Sequence, residues 1–491
     1  MGEYIGINFG TTNTAVVHII DEEYGRKVSF LGEDGKYPFS SIVAVPLDGG
    51  NILFGRAVRE KRHELAQTHR VFTSMKSYLG KKESNGEPKS LDVGEQKYYP
   101  KKIVEAFFRY IREHIKRHWN IDITVASLSY PVDFSQDARS ELCEAAQRAG
   151  IEVKAFVSEA TAAYIANRKE GKAFSKVMVL DWGGGTFDIG VLKLTGNKIQ
   201  EMAVWGDHIG GDDIDYELAE RIHSQIAAKS ERKGGRFEDM SPAERDYMLS
   251  ICEETKIEIS SYEEDYPFTI RDYGPYGTKS INISTDFFND IVEPIIKTRI
   301  LTAIDKVLGK AGGLTPSSID CIIVVGGSSN LKVYERAITN LFNKAMIVLP
   351  ENTQWATAIG AALMQIIGGT IRLNESVGVL LSDDSVFPVL PKGQAIGENT
   401  ATVTFSLVED ARDAHFIFAN ESGKNIYARK SVPTKGFLQE TIELTAVIGF
   451  DQIARIGIAN KYMGTDARSS TTVELNKLSF YYDVGALGDS D

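Results

Sequence analysis

Two segments lying far apart in the chain share a strand, a glycine turn, a threonine and a second strand: IGINFGTTNTAVV (5–17) and MVLDWGGGTFDIGVL (178–192). A glycine turn lets backbone amides come within hydrogen-bonding distance of a phosphate, and threonine hydroxyls add donors that can follow it. One such hairpin alone is usually a plain tight turn, whereas two with matching threonines could grip a single polyphosphate. A third segment, IIVVGGSSN (322–330), runs an apolar strand into paired glycines and serines, where backbone can approach a flat or phosphorylated ligand. In ICEETKIEISS, Glu253, Lys256 and Ser260 fall at i, i+3 and i+7, so a helix there presents all three on one face.

These residues need a frame to hold them, and the pattern over the first 370 or so positions predicts an α/β one, apolar strands alternating with amphipathic helices. VMVLDW (177–182) and IDCIIVV (319–325) read as buried strands. The stretch 102–119 carries Ile103, Phe107, Tyr110, Ile111 and Ile115 on one helical face, and WATAIGAALMQII (355–367) has alanines and Gly360 that permit close packing. Beyond Gly368 and Gly369 the pattern becomes β-rich: TVTFSLVE (402–409), HFIFAN (415–420), TIELTAVI (441–448), IARIGIAN (453–460) and TTVELNKLSFYY (471–482) suggest a β-sandwich. The reading is a large α/β domain over 1–367 in two lobes, about 1–175 and 176–367, a linker at 368–376, a β-sandwich at 377–483 and a tail at 484–491. KKESNGEPKS (81–90) and KSERKGGRFEDMSP (229–242) read as surface loops.

At 491 residues more than one domain is expected, and 43% hydrophobic with 25% charged residues is a globular composition. A net charge of −12 repels phosphate backbones and argues against nucleic acid as a partner, without excluding a single nucleotide in a locally positive pocket. No apolar run approaches the ~20 residues of a membrane span. Cys143, Cys252 and Cys321 lack metal-ligand spacing and no leader pattern opens the chain, so a reducing, cytoplasmic location is expected.

Taken in order, GTTN (10–13), RVFTSMKSYLG (70–80), SYPVDFSQDAR (129–139), AGIEVKAFVSEATAA (149–163), LDWGGGTFDIGV (180–191), HIGGDDID (208–215), ETKIEISS (254–261) and VVGGSS (324–329) resemble the ATPase domain of the 70-kilodalton heat-shock chaperones. The resemblance implies the actin-like ATPase fold, two ribonuclease H-like lobes, followed by an all-β sandwich. It implies ATP or ADP with Mg²⁺ and K⁺ as cofactors and an ATPase reaction. Gly10, Thr11, Thr12 and Asn13 would line the first phosphate turn, and Gly183, Gly184, Gly185 and Thr186 the second, with Gly210 and Gly211 beside them. Lys76 would face the γ-phosphate, Glu159 would orient the attacking water, and Asp181 and Asp188 would hold the hydrated metal, with Asn8 reaching it through water. Glu253, Lys256 and Ser260 would take adenosine from one side, and Gly326, Gly327 and Ser328 from the other. Pro131 and Arg139 match an interdomain relay. Unfolded or specific protein clients, a J-domain co-chaperone and a nucleotide exchange factor are the partners implied.

The sequence departs from the family pattern at several points. Asn8 stands where aspartate is usual, so slow hydrolysis is expected. Gln354 replaces an aspartate, Asn330 an arginine that stacks beside adenine, and Asp133 a tyrosine near the relay. TIRLNESVGVLL lacks the family's leucine run flanked by acids, and too few residues follow Tyr482 for a helical lid over bound peptide. Two alternatives stand beside a chaperone ATPase: a nucleotide-gated interaction or co-chaperone protein that hardly hydrolyses ATP, and a small-molecule kinase or filament-forming relative on the same fold.

Overall fold

The computed structural model describes residues 2–23, 25–35, 37–168, 174–230, 235–397, 401–407, 412–436, 440–463 and 470–484. Positions 231–234 of the expected loop, 408–409 of the expected strand and 485–491 of the expected tail lie outside them. The described residues fall into two compact units, one spanning 2–194 and 201–366, the other 195–200 and 367–484.

The first unit contains one strand arrangement twice. In its first half the order is Glu152–Ser158, Val125–Tyr130, Gly2–Phe9, Asn13–Glu22, Gly25–Phe30, with Phe39–Ser40 paired to Asn13–Glu22. In its second half it is Met346–Val348, Cys321–Val325, Lys176–Trp182, Phe187–Thr195, Lys198–Asp207. In both halves the central strand runs antiparallel to the next one in sequence and parallel to its other neighbour. The repeated hairpins seen in the sequence are therefore the centres of two equivalent sheets. Asn8 occupies in the first hairpin the place that Asp181 occupies in the second, and Ala15 that of Asp188.

The central strands are apolar on both faces because helices cover both, as parallel sheets require. Val177, Met178, Val179 and Leu180 are all buried, as are Ile322, Ile323 and Val324. The helix Pro100–Trp119 begins on a proline, which suits its first turn, and ends where Asn120 turns left-handed at φ 56°. The helix Ala356–Ile366 crosses its neighbours without side chains in the way: a Cβ on Gly360 would stand 1.8 Å from the Ala162 carbonyl oxygen, and one on Gly6 would stand 2.0 Å from that of Ala358. Within the 229–242 loop, Phe237–Asp239 forms a 3-10 turn whose Phe237 is buried, so that loop is pinned to the core.

The second unit holds two four-stranded antiparallel sheets, Val386–Leu390, Val377–Leu380, Asp413–Asn420, Ile426–Pro433 and Ala401–Ser406, Thr441–Ile448, Ala454–Asn460, Ser470–Leu475, each in that order. Strict alternation lines their shared core with Phe416 and Phe418 from one sheet and Ile442, Leu444, Ala446, Ile456 and Ile458 from the other. The segment 471–482, read as one strand, is two. Lys477 turns left-handed at φ 63° and separates Ser470–Leu475 from Phe480–Asp483, which pairs instead with Thr370–Leu373. Lys198 and Ile199, grouped with this unit, pair with Asp483 and Tyr482. No helix among the described residues is long and apolar enough to cross a membrane.

Candidate nucleotide site

The tips of the two hairpins face each other. A Cβ on Gly184 would lie 2.1 Å from the Thr12 Oγ1, and one on Gly185 would lie 2.7 Å from the Thr11 Cγ2, so only glycine allows this approach. The second tip is closed by the Thr186 carbonyl, which accepts from the Gly183 amide at 2.9 Å, and is buttressed from outside. Gly211 and Asp212 donate their amides to the Gly183 and Gly184 carbonyls at 3.1 and 2.7 Å, and the Ser328 hydroxyl donates to the Gly183 carbonyl at 2.8 Å. These carbonyls are thereby occupied from behind. Gly326, at φ 90°, passes so near Asp181 that a Cβ would meet its Oδ1 at 2.5 Å.

Below the tips, the Lys76 ammonium donates to the Glu159 Oε1 at 2.6 Å, with both residues buried. Glu159 opens the helix Glu159–Ala166, whose N-cap Ser158 accepts from the Thr161 amide; a carboxylate in a first helical turn is well placed against the helix dipole. Asp181 and Asp188 stand directly opposite each other in the second hairpin. Burial, then the Glu159 charge, pushes the Asp181 carboxyl up to about 7 against the pull of Lys76. The same causes, joined by Asp133, hold Asp188 well above the usual carboxylate range. Three carboxylates thus crowd one lysine, and an excess of buried negative charge is costly until a cation offsets it.

Among the described residues the buried Asp188 Oδ1 and Thr12 Oγ1 have no hydrogen-bond partner. An unmet acceptor and an unmet hydroxyl between glycine turns fit a hydrated dication and a polyphosphate. Among the described residues no three His, Cys, Asp or Glu side chains converge as a metal cage. Asn8 is turned toward the neighbouring strand, its Oδ1 accepting from the Ser129 hydroxyl at 3.0 Å.

A cleft of about 320 Å³ opens onto this centre, lined by Thr11, Lys76, Thr186, Pro131, Asp133 and His208 among others. It brings together expected residues from both hairpins, the buried pair and the relay. Arg139 lies 5.6 Å over the Tyr130 ring, and its Nε is buried without a partner.

On the base side, the helix Pro242–Tyr262 carries Glu253, Lys256 and Ser260 as the spacing predicted. Lys256 donates to the Gly211 carbonyl at 3.0 Å and to Asp215 Oδ2 at 2.7 Å, and a Cβ on Gly211 would touch both Lys256 and Ser328. Burial would raise the Glu253 carboxyl, but the Arg59 charge and hydrogen bond, with Lys256, hold it below its ordinary value. Ser260 donates to the Lys256 carbonyl within its own helix. Asn330 bonds the Gly327 carbonyl at 3.1 Å. Arg59, Asp215, Ser129 and His208 were not singled out in the sequence as site residues. Asp215 was within reach, lying four residues after Gly211 on one helix face, whereas Arg59 and Ser129 arrive through long-range packing that no local spacing records.

The family model for Hsp70 protein matches residues 4–429. The chain belongs to the Hsp70 family. Its first unit accordingly has the actin-like ATPase fold, followed by a C-terminal β domain, and it is a chaperone-type ATP-binding protein of a family whose members are ATPases acting with Mg²⁺ and binding client proteins.

Behind Glu159, the partly buried Glu201 accepts from Thr161 Oγ1 at 2.8 Å and from the Ser158 hydroxyl. Burial raises its carboxyl above the ordinary value, with Ser158, Thr161 and Arg139 opposing. The folded chain therefore holds this proton more tightly than the unfolded one. That advantage is complete below the ordinary glutamate value of ~4.3 and is lost as pH climbs through the raised value. Melts of Glu201→Gln and the parent across about pH 5 to 8 should diverge, the variant gaining relative stability with rising pH. A difference that does not change with pH contradicts this account.

Proposed function

We propose that the chain hydrolyses ATP slowly and that its nucleotide state governs how the C-terminal β domain holds protein segments. The observation that supports it best is the Lys76–Glu159 pair set beneath two glycine tips, beside an Asp188 oxygen that has no hydrogen-bond partner among the described residues. In this reading the glycine amides and the Thr11, Thr12, Asn13 and Thr186 hydroxyls and amides hold the phosphates. Lys76 offsets charge on the terminal phosphoryl group, and Glu159 orients a water for in-line attack. Asp181 and Asp188 would hold hydrated magnesium, with potassium as a further cofactor; bound there, the metal would neutralise charge on the phosphate oxygens. Glu253, Lys256 and Ser260 face adenosine opposite Gly326, Gly327 and Ser328. Pro131 and Arg139 relay the nucleotide state, with a J-domain co-chaperone and an exchange factor as regulators in the cytoplasm.

Single-turnover phosphate release from Mg·ATP tests this directly. A rate above uncatalysed ATP that vanishes with Glu159→Gln supports it, and a rate equal to buffer defeats it.

Asn8 favours a second reading, in which ATP acts chiefly as a structural clamp, because this neutral side chain is already engaged by Ser129. The readings separate on one substitution. Asn8→Asp restores a carboxylate at the place equivalent to Asp181 and should raise single-turnover release about tenfold, or about 1.4 kcal/mol of barrier. No gain would show that position 8 does not limit the rate.

A further inference from the structure

The loop after Val125–Tyr130 leaves the first sheet at the place corresponding to the one from which Gly326–Ser328 leaves the second. Ligands of such sheets sit beyond the carboxyl ends of their parallel strands, so both loops flank the hairpin tips. The first of them carries Asp133. This carboxylate lines the 320 Å³ cleft with Thr11, Lys76 and Thr186, and no hydrogen bond or ion pair engages it among the described residues. It lies near enough to Asp188 for its charge to disfavour ionisation there. Asp188, 5% exposed, has an unpartnered Oδ1 in the same region.

A second contact fixes where Asp133 stands. Its side chain rests on the bare Cα of Gly206, where an added Cβ would meet Cγ and Oδ2 at 2.5 Å each. Gly206 does not have a positive φ, so its backbone does not require glycine. The missing side chain makes room for the carboxylate.

We propose that Asp133 is a positioning residue for the nucleotide-bound magnesium ion, accepting hydrogen bonds from its water shell and supplying at the cleft rim the negative charge that Asn8 does not. The first hairpin contributes an amide turned toward Ser129 where the second contributes Asp181, so Asp133 gives the first half a cleft-lining carboxylate that its hairpin lacks. A hard, hydrated dication favours such outer carboxylates, and removing one typically weakens metal affinity by 10–100-fold.

This inference rests on the nucleotide reading above, and the test separates the two. ADP binding is followed by calorimetry on the full chain while magnesium is titrated, with a parallel series in chelator. For the unmodified chain, magnesium should strengthen ADP binding; if it does not, the nucleotide reading itself fails. Asp133→Asn is expected to raise the magnesium concentration at half-effect roughly tenfold while leaving ADP affinity in chelator unchanged. Gly206→Ala, which keeps the charge but displaces it, should give a shift in the same direction, and Asn8→Asp added to Asp133→Asn should restore much of the loss. A magnesium titration of Asp133→Asn that overlays the parent, or equal weakening with and without magnesium, overturns the role given to Asp133.

Discussion

Replacing Lys76 by alanine should lower single-turnover phosphate release by roughly a hundredfold or more, the usual effect of removing one preorganised group that stabilises transition-state charge. ADP binding should fall far less, because the glycine amides remain. The substitution also leaves Glu159 buried without its 2.6 Å partner, next to Asp181 and Asp188. Breaking a buried pair on one side costs about 3–5 kcal/mol, so the variant's melting temperature should drop as well. The double substitution Lys76→Met with Glu159→Gln separates the two effects, since it removes both charges and keeps volume. Stability should largely return while phosphate release stays at the background rate. Recovery of hydrolysis in the double variant would show that the pair is structural only.

The second large effect is expected at Gly210. A Cβ there would stand 2.2 Å from the Gly184 carbonyl oxygen and 2.5 Å from the Gly185 amide nitrogen. These are backbone atoms of the second hairpin tip, tied behind by Asp212, so no side-chain rotation relieves the overlap. Gly210→Ala must push the second tip out of line at a cost of about 1–3 kcal/mol. If that strain is released only in the nucleotide-free form, ADP affinity falls about ten- to hundredfold. Calorimetry with Mg·ADP checks it, and unchanged affinity would mean that this tip does not touch phosphate. Gly211→Ala, whose Cβ would meet only the ends of Lys256 and Ser328, should be milder.

Much of the α/β unit was legible because its signals are local. Buried parallel strands such as VMVLDW announce themselves as continuous apolar runs, and the glycine turns recur as a pair. The 253, 256, 260 spacing placed three polar groups on one helix before any coordinate did. What the sequence did not disclose depends on partners far along the chain. Nothing near Asn8 says that Ser129 engages its amide, and nothing near Glu253 names Arg59. The polar alternation of Ile426–Pro433 concealed a strand that is recognisable only against its neighbour Asp413–Asn420. Lys477 hid the break in 471–482, since a lysine at positive φ leaves no compositional mark.

The crossing between Glu159–Ala166 and Ala356–Ile366 has one more implication. Where Gly360 meets the Ala162 carbonyl, backbone lies on backbone, so any side chain at 360 must wedge the two helices apart. Because Glu159 is the first residue of one of these rods, any lengthwise slip carries its carboxylate toward or away from Lys76. The seating of that helix thereby sets the geometry of the buried ion pair.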